Sequence, residues 1–310
     1  MICKSEDGTL IYGESNLANR SIGSILLVHG LGEHSGRYRE FAEQLNGWGY
    51  DVHRIDLRGH GRSNGVRGHV NEFSDYYHDL DAWLVRLESG GELKKDIPCF
   101  MFGHSLGGLI SYLYLSQRKA PPLSVKISGL ILSAPAFGLL PGLKTLVESS
   151  LAKRVPEFFR SLQMPSGIKS EQLSHDEEVV RLHKADPLVH SWATPGFYVA
   201  LTAAIKSLPK TVDRLSVPLF VMLAGKDKVV STAAAEKFTA RLFDANPGLV
   251  TKKVFHGFFH EIFNETKRER VYRELKQWMQ TTVQKKRITK SKKGSSKSSE
   301  KEATERATLH

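Results

Sequence analysis

Six short β-rich runs constrain this chain more than any other feature: Ser24–Val28, Tyr50–Leu57, Ile97–Phe102, Ile127–Leu132, Val217–Leu223 and Val250–Phe255. Ser24–Val28 has the continuous apolar character expected of a strand buried on both faces of a parallel sheet. Between them, apolar residues recur at helical spacing. Examples are Tyr38, Phe41, Leu45 and Trp48; Phe73, Tyr77, Leu80, Leu84 and Leu87; Leu109, Tyr112 and Leu113; and Val271, Leu275 and Trp278. Strand and helix in alternation predict an α/β architecture, a mostly parallel central sheet flanked by helices. The alternation fails between Pro135 and Leu215, where helical fragments follow one another without a convincing strand. Residues 1–135 and 215–284 therefore read as the core, and 136–214 as a helical cap insertion. An insertion at the C-terminal edge of a parallel sheet lies over the crevice where ligands bind.

The net charge of +11 is unevenly spread. Residues 285–310 hold nine Lys or Arg against three Glu, leaving a surplus of only +5 on the other 284 residues. That segment is predicted to be a disordered basic tail with almost nothing to bury. A nucleic-acid role would rest on the tail alone and is not expected; transient contact with a lipid surface through the cap or tail is. The N-terminus, Met1-Ile-Cys-Lys-Ser-Glu-Asp-Gly8, carries charge where a signal peptide needs an apolar core. The two cysteines, Cys3 and Cys99, suit a reducing compartment, and the expected location is cytoplasmic. No His-Glu-x-x-His or paired-cysteine pattern calls for a metal, and no cofactor is expected.

Gly103-His104-Ser105-Leu106-Gly107 has the G-x-S-x-G form of a nucleophile elbow, in which a strand turns sharply into a helix around a strained serine. A second match, Gly61-Arg62-Ser63-Asn64-Gly65, follows a polar stretch and precedes a poor helix, so Ser63 reads as a loop residue. Ser105 directly follows an apolar strand and opens an apolar helix. A hydroxyl needs a base to become nucleophilic. Chain order Ser, acid, His directs the search downstream. His260, on the loop beyond the last strand, is preferred to His256 at the strand end. Asp227, just after the Val217–Leu223 run, is better placed than Asp213 or Asp244. The backbone N–H of Leu106, at a helix start, is one oxyanion donor. The N–H of Leu31, in the loop after the first buried strand, is the other.

With these segments in place, the chain resembles the monoacylglycerol lipase and lysophospholipase group of the α/β-hydrolases, which includes serine-aminopeptidase-like hydrolases. The resemblance covers about residues 25–275. It rests on His29-Gly-Leu-Gly-Glu-His-Ser-Gly-Arg-Tyr38, Asp56-Leu-Arg-Gly-His-Gly-Arg-Ser63 with Arg67-Gly-His69, and Gly103-His-Ser-Leu-Gly-Gly108. It continues in Leu173-Ser174, Asp176, Asp186-Pro-Leu-Val189, Gly225-Lys-Asp227 and His260-Glu-Ile-Phe-Asn-Glu265. It implies the α/β-hydrolase fold and cleavage of an acyl ester from a small alcohol such as glycerol. It also implies Ser105, Asp227 and His260 as a triad, with Leu31 and Leu106 as the oxyanion hole. The family often has a small residue where Leu31 stands. An apolar stripe in the cap, Phe137, Leu139, Leu140, Leu143, Leu146, Val147 and Leu151, would guide lipid or pack on the core. Glu33, Arg37, Arg58, His60 and His69 also match and are expected to tie loops together.

A lysophospholipase or a serine peptidase would use the same triad and differ in pocket shape. Dehalogenase or epoxide hydrolase chemistry would need Asp where Ser105 stands. A non-catalytic binding protein of this fold would be expected to have lost a triad position, and all three are present.

Overall fold

The computed structural model describes residues 1–117, 124–140, 156 and 159–285. An eight-stranded sheet runs in the order β1-β2-β4-β3-β5-β6-β9-β10. Its strands are β1 (Ile2–Lys4), β2 (Leu10–Asn16), β3 (Gly23–Val28), β4 (Tyr50–Ile55), β5 (Cys99–His104), β6 (Ile127–Ser133), β9 (Leu219–Ala224) and β10 (Val250–Phe255). From β4 to β10 all pairings are parallel, while β1 and β2 join antiparallel at one edge. Every residue of β3, β4, β5, β6 and β9 is buried, the polar Asp51, His53 and Arg54 of β4 included.

The helices α1 (Arg39–Gly47), α2 (Asp75–Ser89), α3 (Leu106–Gln117), α4 (Glu177–Ala185), α5 (Pro195–Ser207) and α6 (Thr232–Ala245) occupy the intervening stretches. In α2 the buried Tyr76, Leu80, Trp83, Leu84 and Leu87 repeat every three or four residues. In α3 ten of twelve residues are buried, including Leu109, Ile110, Tyr112 and Leu113. Each fully buried Leu, Val or Phe contributes about 1.5–3 kcal/mol, so this centre anchors the elements around it. Residues 269–285, which belong to a second unit, are helical.

Two departures from the sequence reading have simple causes. The strands β1 and β2 are absent from the predicted set because neither carries an apolar run: β1 has only three residues, and only two of the seven in β2 are buried. The 136–214 stretch is not purely helical: β7 (Met164–Pro165) and β8 (Trp192–Ala193) pair antiparallel. Two residues per strand are too few to display a period of two. Of the predicted apolar stripe, Phe137 is buried and Leu139 and Leu140 are partly buried. Leu143, Leu146, Val147 and Leu151 lie outside the described residues, as do residues 286–310 of the predicted tail.

Candidate active site

Ser105 stands between β5 and α3 with φ of 52°. A left-handed conformation at a non-glycine residue costs on the order of 1–3 kcal/mol and must be imposed by its surroundings. Here the Ser105 N–H donates to the Ser133 carbonyl at 2.9 Å, and its own carbonyl accepts from the Gly108 and Ala136 N–H groups, each at 3.0 Å. The two motif glycines make the turn sterically possible. A Cβ on Gly103 would overlap the backbone of Gly107, and one on Gly107 would overlap the carbonyls of Val28 and His29. Leu106, the first residue of α3, presents a backbone N–H with no intrahelical partner.

Asp227 and His260 come from the loops after β9 and β10, 33 residues apart, and meet with Nδ1 of His260 2.7 Å from Oδ2 of Asp227. The other carboxylate oxygen accepts from the N–H groups of Val229 at 2.8 Å and Val230 at 3.0 Å, fixing the plane of the carboxylate. Burial raises the Asp227 pKa, but the His260 charge and these hydrogen bonds outweigh it and hold the carboxyl below its ordinary value. Burial likewise opposes a charged His260, yet the charge and hydrogen bond of Asp227, helped by Glu261 and Glu33, lift its pKa above 6.5. His104, whose ring centroid lies 4.7 Å from that of His260, behaves oppositely. Burial and the neighbouring His260 push it down to about 4, so it stays neutral while His260 titrates.

The loop carrying Leu31 is held from both sides. His29 accepts the Leu57 N–H on Nε2 at 2.9 Å, so its Nδ1–H donates to the Gly30 carbonyl at 2.7 Å. Oε1 of Glu33 accepts the Gly30 N–H at 2.6 Å and the Tyr38 hydroxyl at 2.7 Å. The Arg37 guanidinium reaches Oε2 of Glu33 at 2.8 Å and grips Glu261 with two bonds, at 2.6 and 2.9 Å. Burial opposes ionisation of both carboxylates, but Arg37 keeps Glu33 and Glu261 below the usual carboxylate range. The cluster thus carries two negative charges against one positive, a field that favours an imidazolium at His260.

Ser105, His260, His104 and Leu31 line one cleft with Gly30, Glu33, Arg37, Val229 and Glu261. Ile168, Leu173 and His183, from the stretch between β6 and β9, complete it. Sequence reasoning missed Ile168, His183 and Val229 as wall residues, since none belongs to a motif; the Arg37–Glu261 pairing spans 224 positions and leaves no local signal. The alternatives fall elsewhere. His256, Asp213 and Asp244 are exposed or at the surface of their loops and helix and do not line the cleft. The second G-x-S-x-G serine is structural. Ser63 is 3% exposed, donates to the Asp56 carbonyl at 2.6 Å and accepts the Tyr12 N–H at 2.8 Å. Arg58 is likewise bound, by Asp79 through two bonds of 2.7 Å. His69 meets Thr194 at 2.8 Å. His60 lies between His29 and His190, tilted to both rings, with centroids 5.4 and 4.8 Å away.

A parallel sheet with a strained serine after β5, and an acid–histidine pair after its last two strands, defines an α/β-hydrolase of the serine type. Residues 19–267 match the family described as serine aminopeptidase, S33, and the chain belongs to that family. A phospholipase of Bacillus subtilis is 32% identical over 257 residues, covering 83% of this chain and 94% of its own. A monoacylglycerol lipase of Mycolicibacterium smegmatis is 30% identical over 258 residues, covering 83% of this chain and 88% of its own. The crystal structure of Paleococcus ferrophilus monoacylglycerol lipase superposes with a TM-score of 0.75 at 29% identity, covering 88% of this chain and 99% of that one. The protein is accordingly an enzyme of the serine carboxylester hydrolase class. Among the described residues no helix is long and apolar enough to cross a membrane.

Proposed function

We propose that this enzyme hydrolyses the acyl ester of monoacylglycerol or a similar lipid ester through an acyl-enzyme on Ser105. The observation that carries the reading is the shared cleft of Ser105 and His260, with His260 bonded to Asp227 at 2.7 Å. In this mechanism His260 takes the Ser105 proton as the hydroxyl oxygen attacks the ester carbonyl. Asp227 steadies the resulting imidazolium. The backbone N–H groups of Leu31 and Leu106 hold the oxyanion. His260 then protonates the departing alcohol, and water, deprotonated by the same imidazole, releases the fatty acid. Residues 136–214 act as a cap whose Ile168, Leu173 and His183 shape the site.

Relatives named monoacylglycerol lipase and phospholipase support a lipid ester as substrate. The apolar part of the cleft wall agrees: Leu31, Ile168, Leu173 and Val229 suit an acyl chain. The test compares wild type with Ser105→Ala on p-nitrophenyl esters of rising chain length and on monoacylglycerol. Wild type should prefer monoacylglycerol, and the variant should lose several orders of magnitude in kcat. A wild type inert toward all these esters, or a fully active variant, would overturn the proposal.

A further inference from the structure

The loop that carries His260 has little regular structure of its own. It leaves β10 at Phe255, turns at Gly257 with φ of 86°, and enters a helical turn over Ile262–Asn264. An imidazole on such a loop is placed only as well as the peptide planes around it are held. Two of those planes are held by groups beyond the turn. The Phe259 N–H donates to Oε1 of Glu265 at 2.7 Å, and the Glu261 N–H donates to the Leu173 carbonyl at 2.8 Å. The two bonds bracket His260.

Glu265 is 1% exposed, and its two oxygens serve four N–H groups. Besides the Phe259 N–H, Oε1 lies 2.7 Å from Nδ1 of His175; a carboxylate oxygen accepts, so Nδ1 carries the hydrogen. Oε2 accepts from the Thr266 N–H at 3.2 Å and the His175 N–H at 3.4 Å. His175 belongs to a segment between β6 and β9 that runs along the histidine loop. There the Ser174 hydroxyl donates to the Asn264 carbonyl at 2.8 Å, and Arg268 reaches Asp176 at 3.5 Å. The contact extends to the acid. The His175 ring stacks on Phe259 with centroids 3.6 Å apart, and the ammonium of Lys228, next to Asp227, lies 3.9 Å from the Phe259 centroid.

We infer that Glu265, aligned by His175, is a positioning residue that sets His260 against Asp227 and Ser105. The inference rests on the triad reading of the site and adds to it two residues, neither of which lines the cleft. Without the carboxylate, the peptide plane between Phe258 and Phe259 is free to turn. A displacement of about 1 Å at a reacting group costs on the order of 10²-fold in rate.

The experiment uses the full chain, a short dispersed p-nitrophenyl ester, and proton NMR of the His260 Nδ1–H, whose resonance lies far downfield while it donates to Asp227. In Glu265→Gln, whichever way the amide turns, its NH2 opposes two N–H donors, so the anchor is lost. Its kcat should fall by about 10- to 100-fold with KM little changed. The pH midpoint of kcat should drop, because His260 loses part of the support of Asp227, and the downfield resonance should move or broaden. Two substitutions at His175, whose side chain is 42% exposed, separate the bond from packing. His175→Asn keeps a donor near the place of Nδ1 and loses the ring; His175→Phe keeps the ring and loses the donor. The first should stay within about twofold of the wild-type kcat, and the second should lose about tenfold. A folded Glu265→Gln enzyme with wild-type kcat and midpoint would overturn the inference. So would a loss of kcat with midpoint and resonance unmoved, or equal losses from both His175 variants, since either marks a structural role alone. If His260→Ala keeps full activity, the triad reading itself fails. If His260→Ala is inert while Glu265→Gln is unimpaired, only the positioning role fails.

Discussion

Replacing Asp227 by Asn isolates what the carboxylate does, because the structure fixes how an amide must sit there. One carboxylate oxygen already accepts two backbone N–H groups, from Val229 at 2.8 Å and Val230 at 3.0 Å. The amide oxygen will take that place, since turning the NH2 toward two donors would leave all of them unsatisfied in a buried site. The NH2 then faces Nδ1 of His260, which must become an acceptor. The imidazole proton moves to Nε2, the nitrogen that receives the Ser105 proton in the proposed mechanism, and the base is lost. A tautomer reversal of this kind lowers kcat by about 10⁴, or about 5 kcal/mol of transition-state stabilisation. The pH profile should change with it. In wild type the rate should rise as His260 deprotonates, with a midpoint above 6.5 because its pKa is raised. Without Asp227 the residual rate should titrate at lower pH, since burial then goes largely unopposed. The same raised pKa stabilises the fold below the unfolded value, and that contribution disappears as pH climbs through the folded one. The assay is kcat on a short p-nitrophenyl ester from pH 5 to 9, alongside a denaturation midpoint to show an intact fold. A folded Asp227→Asn enzyme retaining more than a tenth of wild-type kcat would refute the argument.

Two other substitutions separate positioning from packing. Glu33→Gln removes the charge from a buried carboxylate that accepts from Gly30, Tyr38 and Arg37; because Arg37 keeps Glu261, stability should fall by about 3 kcal/mol, near the lower end for a broken buried pair. Its kcat should fall as well, because the Gly30 amide steers the adjacent Leu31 N–H, and a chemical-denaturation curve matching wild type would contradict the first expectation. Ser63→Ala should cost about 1–3 kcal/mol by leaving the Tyr12 N–H and the Asp56 carbonyl without partners, with kcat unchanged. A Ser63→Ala enzyme that is stable but inactive would mean that the wrong G-x-S-x-G had been assigned to structure.

How far the sequence could be read depended on how strictly the backbone dictates a residue type. The central strands β3, β5, β6 and β9 were visible because both faces are buried and, His104 aside, every position is apolar or small. The strand β2 was not, because only two of its seven residues are buried. Ser105 could be singled out from Ser63 by what lies beside it, since the elbow needs an apolar strand before and a helix after. Asp227 and His260 could be singled out by their places after β9 and β10, where loop ends converge at one edge of a parallel sheet. Leu173 and Glu261 entered only through a resemblance, and Ile168, Val229 and His183 not at all.

The reason is physical. A wall of a cleft asks only for a side chain of suitable size and polarity at one point in space, reached from any direction along the chain. Such a demand produces neither a period nor a spacing. Arg37 and Glu261 illustrate the limit: each is an ordinary charged residue locally, and only folding turns them into a two-pronged pair beside the histidine. Candidate catalytic positions set by strand ends therefore stand out in one sequence, whereas the residues that wall the cleft become legible only in three dimensions. It follows that changes at His183 or Ile168 should alter which ester is preferred while leaving the acid–histidine geometry after β9 and β10 in place.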